Sequence, residues 1–277
     1  MTYLHSIILG IIEGISEFLP ISSTGHMILA SSAMHIPKTD FLKSFEVIIQ
    51  LGAILAVVVM YGKMLWKNSG LLKKVVAAFI PTAVIGLAFY KIVKTYLFES
   101  NLTVVLALAI GGILILLFDR REKRLMQIAE QNAVSQARVT GNMVAPAQPA
   151  PTEAITYKQA FWVGIAQSVA IIPGVSRSAA TIIGGRLLGL SRMQIVEFSF
   201  LLAIPTMAAA AGLDILKNYK SILSGQFGLL LVGFIVSFVV ALLAIRGFLS
   251  YIKKYSFSVF GWYRIAIAIV AAFLLFR

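Results

Sequence analysis

The sequence contains no cysteine, three histidines and 11 acidic residues against 24 lysines and arginines in 277 positions. Without cysteine there is no disulfide framework, thiol nucleophile or thiolate metal centre, and redox compartment leaves no mark. Charge is sparse too: 13% of residues are charged and 59% apolar, with a mean hydropathy of +0.91. A soluble domain carries about a quarter charged residues, so that class is excluded. The apolar runs do not alternate with polar residues, which excludes strands of a membrane barrel. No Lys or Arg precedes the first apolar run, and Glu13 and Glu17 interrupt it, so a cleaved signal peptide is not expected.

What remains is a set of long apolar runs. Segments at 44 to 61, 75 to 97, 102 to 118, 192 to 215, 225 to 247 and 256 to 276 are each near the ~20 residues that cross a bilayer core. They define an all-α polytopic membrane protein with about six transmembrane helices.

The net charge of +13 first suggests nucleic acid, but its placement does not. Lys63, Lys67, Lys73 and Lys74 lie between two spans, Arg120, Arg121, Lys123 and Arg124 follow another, and Arg246, Lys253 and Lys254 precede the last. The alternate loops hold fewer: Lys38 and Lys43 with Asp40, Lys94 with Glu99, and Lys217 with Lys220. The richer set marks the cytoplasmic face, so the partner is the membrane and no nucleic acid is expected. Both termini then lie outside, provided that 1 to 35 and 157 to 190 enter the membrane and return.

Residues 125 to 156, rich in Ala, Gln and Pro, are expected to form a flexible linker, with the cytoplasmic connection as a whole covering 119 to 156. The pattern on its two sides recurs weakly. "GIIEGISEFLPISSTGH" from Gly10 and "GIAQSVAIIPGVSRSAAT" from Gly164 each run from an apolar helix into a proline, a small or hydroxyl-rich turn and a second short helix. A glutamate opening a long span follows each, Glu46 and Glu197. The chain is therefore expected to be a single membrane domain of two repeats, 1 to 118 and 157 to 277. Three crossings in the first would invert the second, bringing two re-entrant turns together at the midplane.

At that meeting point sit the polar groups. Glu13 and Glu17, four residues apart, share a helix face, where like charges repel unless a proton or a divalent cation such as Mg²⁺ or Ca²⁺ lies between them. Ser22, Ser23, Thr24 and Gly25 open a helix, where one hydroxyl caps the backbone and the free N–H groups suit phosphate. Ser23 and His26 can share a face, with the imidazole as base to the serine or proton donor to a leaving oxygen. In the second turn Arg177, between Ser176 and Ser178, offers the fixed donors that suit phosphate oxygens. Arg186 reaches either a headgroup or the cytoplasm, and Gly184, Gly185 and Gly189 are expected to permit close helix packing. Glu46, Gln50 and Glu197 are further intramembrane polar groups that either orient this set or satisfy broken backbone.

"EGISEFLPISSTGH" (13 to 26) together with "PGVSRSAAT" (173 to 181) resembles the undecaprenyl-diphosphate phosphatases of the bacitracin-resistance type. The resemblance extends to "FEVIIQLGAILAVV" (45 to 58) and "EFSFLLAIPTM" (197 to 207). Ser16 stands where that family usually has threonine, and Ala179 where glycine is common. The resemblance implies an inverted repeat with two re-entrant pairs and an enzyme that removes the terminal phosphate of undecaprenyl diphosphate, returning the lipid carrier for peptidoglycan and other wall polymers. It also implies a divalent cation, held by Glu13 and Glu17, and a site facing the outer side of the bacterial cytoplasmic membrane. The essential set it implies is Glu13, Glu17, Ser23, His26 and Arg177; Ser22, Thr24, Gly25, Ser176 and Ser178, at the two helix starts, are expected to line the substrate. A homodimer is left open.

Two other readings are weighed against it. Inverted repeats are also a transporter architecture, in which the same charges would bind a polyprenyl phosphate headgroup for flipping. A lipid phosphatase of the other serine-glycine-histidine type needs a second downstream histidine, and only His35 follows His26.

Overall fold

The computed structural model describes residues 1–97, 100–140, 152–222 and 227–276. Glu99, the side chains of Lys94, Lys217 and Lys220, and the stretch 141–151 of the expected linker lie outside the described residues.

Six helices are long and apolar enough to cross a membrane among the described residues. They are α3 (Asp40–Lys67), α4 (Ser69–Ile92), α5 (Asn101–Thr140), α8 (Arg192–Ile222), α9 (Phe227–Ile252) and α10 (Ser258–Leu275). These are the six expected spans, most of them extended by polar ends. Thr39 caps α3 by accepting from the N–H of Leu42, and Asp40 in the first turn and Lys67 in the last complement the helix dipole. Leu87, Val84 and Ile80 of α4 and Ile113, Leu114 and Leu117 of α5 are exposed, as lipid-facing side chains must be.

The other four helices are short: α1 (Tyr3–Ser16), α2 (Ser23–Ala33), α6 (Tyr157–Ser168) and α7 (Arg177–Leu187). At about 1.5 Å per residue even α1 reaches only about 21 Å, well short of the ~30 Å hydrocarbon core. Each pair, α1 with α2 and α6 with α7, is joined through an irregular turn, residues 17–22 and 169–176.

Packing between the two parts of the chain is reciprocal. Helix α1 lies on α9 and α6 on α4, while α3 packs with α8 and α5 with α10. Gly10 and Gly164, the residues that open the two similar stretches, serve the same purpose. A Cβ on Gly10 would come within 2.8 Å of the Gly233 carbonyl on α9, and one on Gly164 would run into the Ala78 carbonyl on α4. Gln167 then donates to Thr82 of α4 at 3.1 Å and Thr206 of α8 at 3.0 Å, tying α6 to both spans.

Two expectations change. The connection after residue 118 is helical through Thr140, because Glu122 to Gln131 are nearly all strong helix formers and let α5 continue. Gly189 does not mediate packing: its φ is +85° and open space faces it. It closes α7, with the N–H of Leu190 bonding back to Gly185 and that of Gly189 to Arg186. Gly185 does pack closely, against Ile195, and Gly184 against Ala166.

Candidate functional site

The first turn begins where α1 stops at Ser16 and Pro20 follows too soon for the helix to continue. Ser22 closes it as cap of α2, its hydroxyl accepting from the Gly25 N–H at 3.4 Å. Its φ of 73° is rare for a residue with a side chain, and such strain persists only where the surroundings hold it. The second turn is built alike: Gly174 takes φ +88° and Ser176 caps α7 by accepting from Ala179 at 3.2 Å. Ala179 lies inside that first helical turn, where it costs the loop nothing.

The two turns touch. Ser178 donates to the Leu19 carbonyl at 2.7 Å, and Ser176 stands 3.0 Å from Ser178 and 3.5 Å from the same carbonyl. Both hydroxyls, expected to face substrate, are thus engaged in clasping one turn to the other. Across this clasp Arg177 Nη2 donates to Glu17 Oε1 at 3.0 Å, with 12% of the arginine side chain and 4% of the glutamate exposed. Arg177 Nη1 donates to the Ser199 carbonyl of α8 at 2.8 Å, and Phe18 lies under the guanidinium.

The other oxygen of Glu17 accepts from Ser23 Oγ at 2.6 Å and from Gln50 at 3.5 Å. The side chain of Glu13, one helical turn before Glu17, is buried as well, 3% exposed. Among the described residues, two atoms here are buried without a partner: Glu13 Oε1, an acceptor, and Arg177 Nε, a donor. A buried polar atom in that condition loses more than a kilocalorie or so unless something meets it. The vacant acceptor suits a cation and the vacant donor an anion.

His26 is placed differently from the expectation that it pairs with Ser23. Its Nδ1 stands 2.8 Å from the Ser22 carbonyl, which can only accept, so Nδ1 carries a proton. Its Nε2 is 2.8 Å from the hydroxyl of Tyr263 on α10, and the two rings stack. Ser23 bonds instead to Glu17, and the geometry of a base beside a hydroxyl belongs to that glutamate. Thr24 is exposed on the first turn of α2, while Gly25 is buried against Leu108.

Glu197 lies outside this group, accepting from Thr152. Arg186, together with Arg192, binds the buried Glu122 of α5. Two residues of the neighbourhood, Tyr263 and Arg264, were not singled out by sequence reasoning. The signal was present, since an arginine inside the apolar run of α10 is an intramembrane charge.

Carboxylates, a hydroxyl and an arginine gathered where two turns meet inside an apolar bundle define a polytopic membrane protein with a buried charged centre. The chain belongs to the family described as bacitracin resistance protein BacA, which it matches over residues 6–270. It is 45% identical over 277 residues to the undecaprenyl-diphosphatase of Aquifex aeolicus, with 100% of each chain covered. It is also 45% identical over 276 residues to the undecaprenyl-diphosphatase of Bdellovibrio bacteriovorus, covering 100% of this chain and 97% of that one. The enzyme of the same name from Persephonella marina is 45% identical over 276 residues, covering 100% and 99%.

Proposed function

We infer that this chain is an undecaprenyl-diphosphatase, hydrolysing undecaprenyl diphosphate to undecaprenyl phosphate and inorganic phosphate and so recycling the lipid carrier of wall synthesis. The observation that carries the mechanism is the single carboxylate of Glu17, which holds Ser23 on one oxygen and Arg177 on the other. Ser23 Oγ attacks the terminal phosphorus, its proton passes to Glu17 Oε2, and the bond from that phosphorus to the bridging oxygen breaks toward the lipid phosphate. Water then attacks the phosphoserine, the P–Oγ bond breaks as Glu17 returns its proton to Ser23 Oγ, and phosphate leaves carrying the water's oxygen, the water's protons going to the phosphate and to solvent. Protonation of Glu17 weakens its hold on Arg177 when the guanidinium is needed by the phosphoryl oxygens. The free Nε of Arg177 and the N–H groups opening α2 complete the anion cradle. His26, protonated on Nδ1 and joined through Nε2 to Tyr263, handles the proton of the departing lipid phosphate.

A divalent cation, Mg²⁺ or Ca²⁺, would be held by the unpartnered Oε1 of Glu13 together with Glu17, whose two oxygens accept from Ser23 and Arg177 here. When bound, the cation offsets the charge of the diphosphate.

The reciprocal packing of α1 on α9 and α6 on α4 supports an inverted repeat, 1 to 118 against 157 to 277, with α1/α2 and α6/α7 as re-entrant pairs in a bacterial inner membrane. Gln167 occupies in the second repeat the place of Glu13 in the first, three residues after the matched glycine. That half thus keeps the shape and lacks the acid, and the family resemblance implies a site facing the outer side of the membrane. A flippase would need the anion cradle but not a serine hydrogen-bonded to a buried carboxylate, which is why hydrolysis is the better reading.

The test is incubation of the purified protein with undecaprenyl diphosphate in detergent, with and without chelator. One phosphate released per undecaprenyl phosphate formed, abolished by chelator, is expected. Lipid bound and returned intact would favour the flippase.

A further inference from the structure

Arg264 sits on α10 with 1% of its surface exposed, and among the described residues it forms no ion pair. A guanidinium so deeply buried is costly unless its donors are met, and here four carbonyls meet them. Two belong to α5: Ala107, at 2.9 Å from Nη2, and Leu108, at 3.4 Å from Nε. The others belong to the two turns: Gly174, 3.0 Å from Nη2, and Pro20, 3.5 Å from Nη1. Pro20 precedes Ser23 by three residues, and Gly174 precedes Arg177 by three.

One rigid planar group therefore touches the backbone leading into each helix that carries a reacting residue. The clasp of Ser178 on Leu19 joins the turns directly, but it fixes them only to each other. Arg264 fixes both to α5, a full span, at a place prepared for it: a Cβ on Gly111 would run into its guanidinium. Lysine offers the same charge from a single nitrogen, without the fork that reaches both turns and α5 together.

We propose that Arg264 is a positioning residue of the reaction, setting the spacing between Ser23 and Glu17 in the first turn and Arg177 in the second. This rests on the reading that those three residues form the reacting centre.

The test compares the full-length protein with Arg264→Lys and Gly111→Ala, reading phosphate release from undecaprenyl diphosphate and amide hydrogen exchange along the chain. Misplacement by about 1 Å costs on the order of 100-fold in rate, so Arg264→Lys is expected to lower kcat about 10- to 100-fold while KM stays within about threefold. Exchange is expected to rise in both turns, 17–22 and 169–176, and not in the spans. Gly111→Ala, which keeps the charge and disturbs its seat, is expected to move both readouts the same way, and it carries the test should Arg264→Lys not fold. Unchanged exchange in the turns, or a loss confined to KM, would overturn the proposal. Failure of the unmodified protein to release phosphate would count against the proposed function instead, and exchange would still decide the hold of Arg264.

Discussion

Arg177 and Glu17 stand 160 positions apart in the chain and meet at 3.0 Å, one from each of two turns that interrupt short apolar helices. Burying either residue without its partner would carry a large desolvation cost, so the pair favours the close approach of the two turns. The pair thus joins architecture to chemistry: it is one of the contacts that hold the turns together and one that the proposed reaction uses.

If Glu17 is the acceptor of the Ser23 proton, Glu17→Gln keeps the shape and loses the base. Phosphate release is expected to fall about 10²- to 10⁴-fold in a protein that still folds. Glu13→Gln acts elsewhere, on the vacant acceptor. It is expected to raise the Mg²⁺ or Ca²⁺ concentration needed for half-maximal rate, measured by titration of chelator-treated enzyme.

Ser22 holds a φ of 73° and caps α2. Ser22→Gly removes strain of about 1–3 kcal/mol and loses only a few tenths as a cap. Thermal unfolding in detergent should show an unchanged or higher midpoint; a clear drop would mean that the Ser22 side chain does more than cap.

Tyr263→Phe keeps the ring stacked on His26 and deletes the hydroxyl at Nε2. One neutral hydrogen bond is worth about 1 kcal/mol, so stability should change little. Should His26 handle the leaving-group proton through this contact, kcat drops several-fold with KM unchanged.

Glu122 binds Arg186 and Arg192 away from the reacting groups. Glu122→Ala leaves two partly buried guanidinium groups unpaired and is expected to cost about 3 kcal/mol of stability. Activity per folded molecule, followed at low temperature, should remain near normal.

The six spans were legible because length and apolarity alone specify them. The broken pairs were legible because glutamates, hydroxyls and prolines are out of place in such a helix, as in "EGISEFLPISSTGH". What the sequence hid was partnership. Ser23 and His26 are three residues apart and suggested a pair, yet the imidazole turns to Ser22 and Tyr263 while Ser23 turns to Glu17. Spacing along a helix says which residues share a face, not which contact a distant helix supplies. The same reason concealed Ser176 and Ser178, whose acceptor, Leu19 O, belongs to the other turn. Glu122 was invisible among neighbouring charges, because only the fold shows that α7 and α8 bring two arginines to it.

The central claim is that the two turns act as one reacting centre, and a mutant cycle tests it most directly. Initial rates of phosphate release from undecaprenyl diphosphate would be measured for the unmodified protein, Ser23→Ala, Arg177→Met and the double variant. Each single change is expected to cost about 100-fold or more, and the double variant to be scarcely slower than the worse single one, because both act on the same step. An Arg177→Met enzyme within a few-fold of the unmodified rate would contradict the claim and leave the arginine a structural brace.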